Sequence, residues 1–145
     1  MEILKNLHSY FAYIVLLILI LATANALIGW LTKKEFRFDK DLRVSLFALI
    51  LSHLQLLIGL ILFFVSANGL KAIQTFGIGG LNSASRLFAV EHPFINILAI
   101  ALITIGWSRH KKKEEDTAKF KSIGIFYGLG LLLILSRIPW GQWLA

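Results

Sequence analysis

The 145-residue chain has no cysteine, so disulfides, thiolate metal sites and cysteine nucleophiles are all excluded. Acidic residues are scarce: eight Asp and Glu stand against fifteen Lys and Arg. Soluble-domain composition is also missing, since 57% of the residues are hydrophobic where a soluble domain carries roughly 45–50%. The apolar runs lack the dyad alternation that a membrane β-barrel strand needs. No internal repeat of a soluble kind is visible.

What the chain does have is four long apolar runs, about Leu7–Leu31, Leu42–Val65, Leu87–Trp107 and Phe120–Ile138. Each holds about twenty residues, enough for a helix to cross the roughly 30 Å hydrocarbon core. Backbone polar groups in lipid must be satisfied within the segment, which demands helices here. The expected fold is therefore all-α, a single integral membrane domain over residues 1–145. Short connections predict an up-down-up-down four-transmembrane-helix bundle with spans one and three diagonal across its core.

The net charge of +7 is unevenly placed. Lys33, Lys34, Arg37, Lys40 and Arg43 lie in or beside the first connection, and Arg109, Lys111, Lys112, Lys113, Lys119 and Lys121 in or beside the third. Only Lys5, Lys71, Arg86 and Arg137 fall on the other side. The positive-inside rule then makes connections one and three cytoplasmic and both termini outside, periplasmic in a bacterial inner membrane. The basic excess reads as topology and attraction to anionic lipid, with the bilayer as partner and no nucleic acid. The run "ATANA" (Ala22–Ala26) raises a signal-peptide reading, but the apolar stretch continues through "LIGW", so an uncleaved first span is expected.

Small and polar residues mark the inward faces, because lipid gives helices no hydrophobic reason to associate. Ser45, Ser52, Gly59 and Ser66 recur every seven residues in span two, and Gly124 and Gly128 form a GxxxG spacing in span four. In the second connection, "GLKAIQTF" (Gly69–Phe76) reads either as a short interfacial helix or as a mobile connector.

Three histidines, His8, His53 and His92, fall within predicted spans, where ionisable groups are functional hypotheses by default. His8 heads a stripe through Ala12, Val15, Leu19 and Ala22; His92 heads another through Asn96, Ala99, Ile103 and Gly106. Both stripes follow one helical face. Two imidazoles from diagonal helices would then meet at similar depth above a small-residue seam. A flat ligand held between two histidines is haem, with His8 and His92 as axial ligands to the iron. His53 lies deeper, with packing against that ring, hydrogen bonding near Gln55, or a quinone pocket as its alternatives. His110, in a lysine-rich stretch, is expected to be solvated.

Arg86 and Arg137 fall at the same end as the histidine pair, where guanidinium groups suit haem propionates or simply snorkel to the headgroups beside Trp140 and Trp143. Glu91 would salt-bridge Arg86 or cap the third span. Pro93 leaves carbonyl groups of the preceding turn without donors.

"QLLIGLILFFVSANGL" (Gln55–Leu70) resembles the haem A synthase span with a Q-x-x-LG pattern, and "SRLFAVEH" (Ser85–His92) resembles the start of that family's next span, which carries a haem-ligating histidine. His8 then matches the earlier ligand, two spans before. The resemblance covers most of one four-helix half of that enzyme, and the chain is also similar to small four-span Bacteroidetes proteins labelled cytochrome b. It implies a bis-histidine haem b bundle. Departures are specific: only one half is present, Lys5 stands where the catalytic half carries a glutamate, and the family's cysteine pair has no counterpart. The leading expectation is a membrane-bound b-type cytochrome that transfers electrons, with respiratory-chain subunits or a second copy as partners. The alternatives are a haem-free structural subunit of a larger membrane complex and a haem-modifying or quinone-reacting enzyme.

Overall fold

The computed structural model describes residues 1–143, and among them there are helices and connections but no strand. Four helical segments are long and apolar enough to cross a membrane: Glu2–Thr32, Phe38–Phe76, Ser83–His110 and Asp116–Ser136. This bears out the helical, multi-pass reading and the four expected runs. The regular elements are α1 (Glu2–Thr32), α2 (Arg43–Val65), α3 (Leu70–Phe76), α4 (Ser83–Arg86), α5 (His92–His110), α6 (Asp116–Ser136) and α7 (Trp140–Trp143). Single π-helical turns at Phe38–Leu42 and Leu87–Glu91 lead into α2 and α5.

The helices pack in a ring: α1 on α2, α2 on α5, α5 on α6, and α6 back on α1. Spans one and three are therefore diagonal, as short connections between antiparallel neighbours require. The inward stripes lie where their periodicity put them. Val15, Leu19 and Ala22 of α1 are buried, as are Ala99, Ile103 and Gly106 of α5, and Ser45 and Ser52 of α2.

Packing is tightest between α5 and α6. A Cβ on Gly106 would stand 2.5 Å from Cβ of Phe126, and one on Gly130 would stand 2.8 Å from the Ile103 side chain. Such close backbone approach replaces the hydrophobic effect as the source of association in lipid. In the GxxxG pair, Gly124 abuts Leu27 of α1, so that glycine serves packing within the chain.

At the end opposite the histidine pair, Asp41 ties the first connection down. Its buried carboxylate accepts from Nδ2 of Asn25 and from the backbone N–H of Arg37, both at 2.8 Å. Ser45 Oγ returns to the Asp41 carbonyl at 2.8 Å, and the Tyr127 hydroxyl donates to the Ser45 carbonyl at 2.8 Å. His110 departs from the expected solvated side chain: it is 1% exposed, against Phe36 and Trp107. It is the last residue of α5, and the helix turns it inward beneath the lysine run that follows.

Candidate functional site

His8 enters from the second turn of α1 and His92 from the first residue of α5. Their ring centroids are 6.2 Å apart, with planes at 89°. The diagonal helices thus bring together the two imidazoles that the sequence paired. An imidazole nitrogen binds a first-row metal at about 2.0 Å and sits about 1 Å from its ring centre. Two rings on opposite sides of one ion therefore have centroids roughly 6 Å apart.

Local structure explains how His92 is aimed. Pro93 supplies no N–H, and the turn before it, Leu87–Glu91, is π-helical. Such bulges absorb a register change inside a continuous helix and cluster at functional sites. Nδ1 of His92 lies 2.8 Å from the carbonyl of Arg137, which caps the end of α6. A carbonyl there requires the proton on Nδ1 and leaves Nε2 with a free lone pair, the arrangement that orients ligating histidines. Asn96, one turn on, donates from Nδ2 to the His92 carbonyl at 2.7 Å, with the same nitrogen 3.3 Å from the His92 ring.

His8 is held differently. Its Nδ1 is buried and has no hydrogen-bond partner, a state that costs about 1–3 kcal/mol in a folded protein. Gln55 donates from Nε2 to the His8 backbone carbonyl at 2.8 Å, while its own Oε1 is buried without a partner. One turn further along α2, Gly59 faces the ring: a Cβ there would stand 3.1 Å from Cε1 of His8. Gln55 therefore belongs to the His8 pocket, whereas the sequence reading grouped it with His53.

His53 does not pack on the histidine pair. It is exposed on the outside of the bundle, with Nδ1 2.7 Å from the Leu49 carbonyl and Nε2 3.2 Å from the Thr104 hydroxyl. Glu91 lies 3.9 Å from Nε of Arg137, so its partner is that residue in place of Arg86. It also makes no side-chain cap at the start of α5. Arg86 is exposed at the same end of the bundle.

Sequence reasoning missed one structural support of the site. After α6 the chain folds across the start of α1: the Trp143 indole donates to the Ser9 carbonyl at 3.2 Å and stacks on Tyr13 with centroids 4.5 Å apart. This strap ties the segment after Arg137, whose carbonyl meets His92, to the start of α1. The signal in the sequence is Pro139 followed by two tryptophans, a pattern that by itself suggests only interfacial anchoring.

No three histidine or acidic side chains gather into a metal site among the described residues. No protein-family model, curated protein or solved structure matches the chain.

Proposed function

We propose that the protein is a membrane-bound b-type cytochrome in which His8 and His92 ligate one haem. The observation that carries this reading is the close, edge-on imidazole pair, 6.2 Å between centroids, with His92 Nδ1 committed to the Arg137 carbonyl and His8 Nδ1 buried without a partner. Two half-buried imidazoles within the spans of a membrane protein are expensive unless they serve a ligand. Bound haem supplies reversible one-electron exchange at the iron.

The chain's own residues do the rest. Gly59 leaves His8 the space that a larger side chain would take. Gln55 fixes the backbone that carries His8, and the Arg137 carbonyl sets the tautomer and rotation of His92. Arg137, already beside Glu91, and the exposed Arg86 supply positive charge for propionates at that end. The similarity of Gln55–Leu70 and Ser85–His92 to one half of haem A synthase supports the same reading. Lys5 in place of the catalytic-half glutamate favours electron transfer over oxygenation of a haem substituent.

The lysines and arginines near the first and third connections support an orientation with both termini outside and the histidine pair toward the outer face of a bacterial inner membrane. Redox partners would then be respiratory-chain subunits. The test is the reduced-minus-oxidised optical spectrum of the purified protein. A low-spin b-type band is expected, lost in His8→Ala and in His92→Ala. A correctly folded protein that stays colourless after haem loading would refute the assignment.

A further inference from the structure

We propose that Gln55 tunes the His8 ligand: when haem is bound, Oε1 of Gln55 accepts the hydrogen on His8 Nδ1. Gln55 is thereby a positioning residue for one ligand of the cytochrome proposed above, and the assignment rests on that reading.

The four histidines set the contrast. Nδ1 lies within 2.8 Å of a backbone carbonyl in His53, His92 and His110, which meet Leu49, Arg137 and Trp107. His8 differs, because its Nδ1 is buried without a partner. A neutral imidazole carries one N–H and one lone pair. Ligation through the Nε2 lone pair fixes the hydrogen on Nδ1, where a buried donor without an acceptor is costly.

The Gln55 amide supplies that acceptor. The His8 carbonyl can only accept, so the amide turns its NH₂ to it, with Nε2 at 2.8 Å. Oε1 sits on the same amide carbon, and it too is buried without a partner. An unused acceptor thus lies against the residue whose ring nitrogen needs one. Both groups share one face of α2. Gly59 is four residues on from Gln55, a spacing that sets Cβ positions about 6 Å apart. A Cβ on Gly59 would lie 3.7 Å from His8 Nδ1. A turn of the His8 ring, or one bridging water, completes the bond. The rival on this face is Ser52, whose hydroxyl oxygen is also buried without a partner. It is seven residues from Gly59, about 10 Å along the helix, and so lies too deep.

Both ligands would then donate from Nδ1 to a neutral carbonyl, His92 to the Arg137 backbone and His8 to the Gln55 amide. Such a partner raises the basicity of a ligating imidazole, which favours ferric over ferrous iron and lowers the potential.

The test compares the haem-loaded full chain with Gln55→Leu, Gln55→Glu and Ser52→Ala in lipid nanodiscs. The readouts are redox titration and ¹⁵N-histidine NMR of the reduced, diamagnetic form. Gln55→Leu removes both donor and acceptor, whereas Gln55→Glu keeps an acceptor oxygen. Gln55→Leu should shift the ferrous-to-ferric ratio about tenfold, raising the midpoint potential by about 59 mV. Gln55→Glu should stay at or below the wild-type potential, and Ser52→Ala should match it. In the wild type, the Nδ1–H protons of His8 and His92 should resonate at similar downfield positions. An unchanged potential in Gln55→Leu would overturn the proposal. So would equal rises in Gln55→Leu and Gln55→Glu, the pattern of backbone support alone. If Gln55→Leu does not load haem, the wild-type spectrum decides: a His8 proton far upfield of the His92 proton overturns the assignment. A folded wild type that takes up no haem would sink the cytochrome reading itself. Low-spin haem with either failing pattern would sink this proposal alone.

Discussion

Adding a methyl group at Gly59 tests whether His8 is held by contacts or waits for a ligand. The new Cβ would stand 3.1 Å from Cε1 of His8, with Nδ1 at 3.7 Å and Nε2 at 3.9 Å. Only the first contact is tight, and a ring displacement of a few tenths of an ångström would relieve it. Because Nδ1 has no hydrogen bond to break, the displacement costs only the off-rotamer strain, about 0.5–1.5 kcal/mol. Replacing glycine by alanine inside a helix returns about 1 kcal/mol. Gly59→Ala should therefore leave stability within about 1 kcal/mol of wild type. Gly59→Val drives branched methyls into the ring, and overpacking of that kind costs about 1–3 kcal/mol. The assay is reversible unfolding of haem-free protein in mixed micelles, followed by circular dichroism, with haem content measured separately. The expected pattern is near-neutral stability with reduced haem occupancy in Gly59→Ala, and losses of both in Gly59→Val. A Gly59→Ala protein destabilised by more than about 3 kcal/mol would mean that His8 is clamped, which contradicts the reasoning from its unpartnered nitrogen.

Three further outcomes follow from the same geometry. Gly106→Ala places a methyl 2.5 Å from Cβ of Phe126 and 3.2 Å from the Ser122 carbonyl; it should destabilise the α5–α6 pair by about 1–3 kcal/mol in the same unfolding assay. Tyr127→Phe removes the hydroxyl that donates to Ser45, for a loss of roughly 0.6–1.7 kcal/mol as measured for interhelical hydrogen bonds in membranes. Trp143→Phe keeps an aromatic ring against Tyr13 but deletes the bond to Ser9. It should loosen the Arg137 segment, and amide exchange at residues 137–143 should rise while α1 to α6 stay protected.

The parts of this molecule that obey a helical period could be read before any coordinates. The runs His8–Ala12–Val15–Leu19–Ala22 and Ser45–Ser52–Gly59 repeat at a spacing that fixes one face, and that face is the inward one. The diagonal relation of α1 and α5 followed from short connections, and with it the meeting of His8 and His92. Gln55 was misgrouped with His53 although two residues on a helix are about 200° apart, on nearly opposite sides. Its spacing of three from Ser52 and four from Gly59 already put it in the inward stripe. Long-range partners left no local trace. Glu91 meets Arg137 because α6 ends beside the start of α5, and no pattern within either segment records that. The burial of His110 was masked by its lysine neighbours, which dominate a window average while the helix turns one side chain inward.

The central claim is that both imidazoles bind one iron, with ring planes close to perpendicular. Electron paramagnetic resonance of the oxidised, haem-loaded protein reads this directly. The account predicts a single low-spin ferric species with the strongly anisotropic signal of two imidazoles in crossed planes, matching the 89° between His8 and His92. A high-spin signal, or a low-spin signal that persists unchanged in His8→Ala, would contradict it.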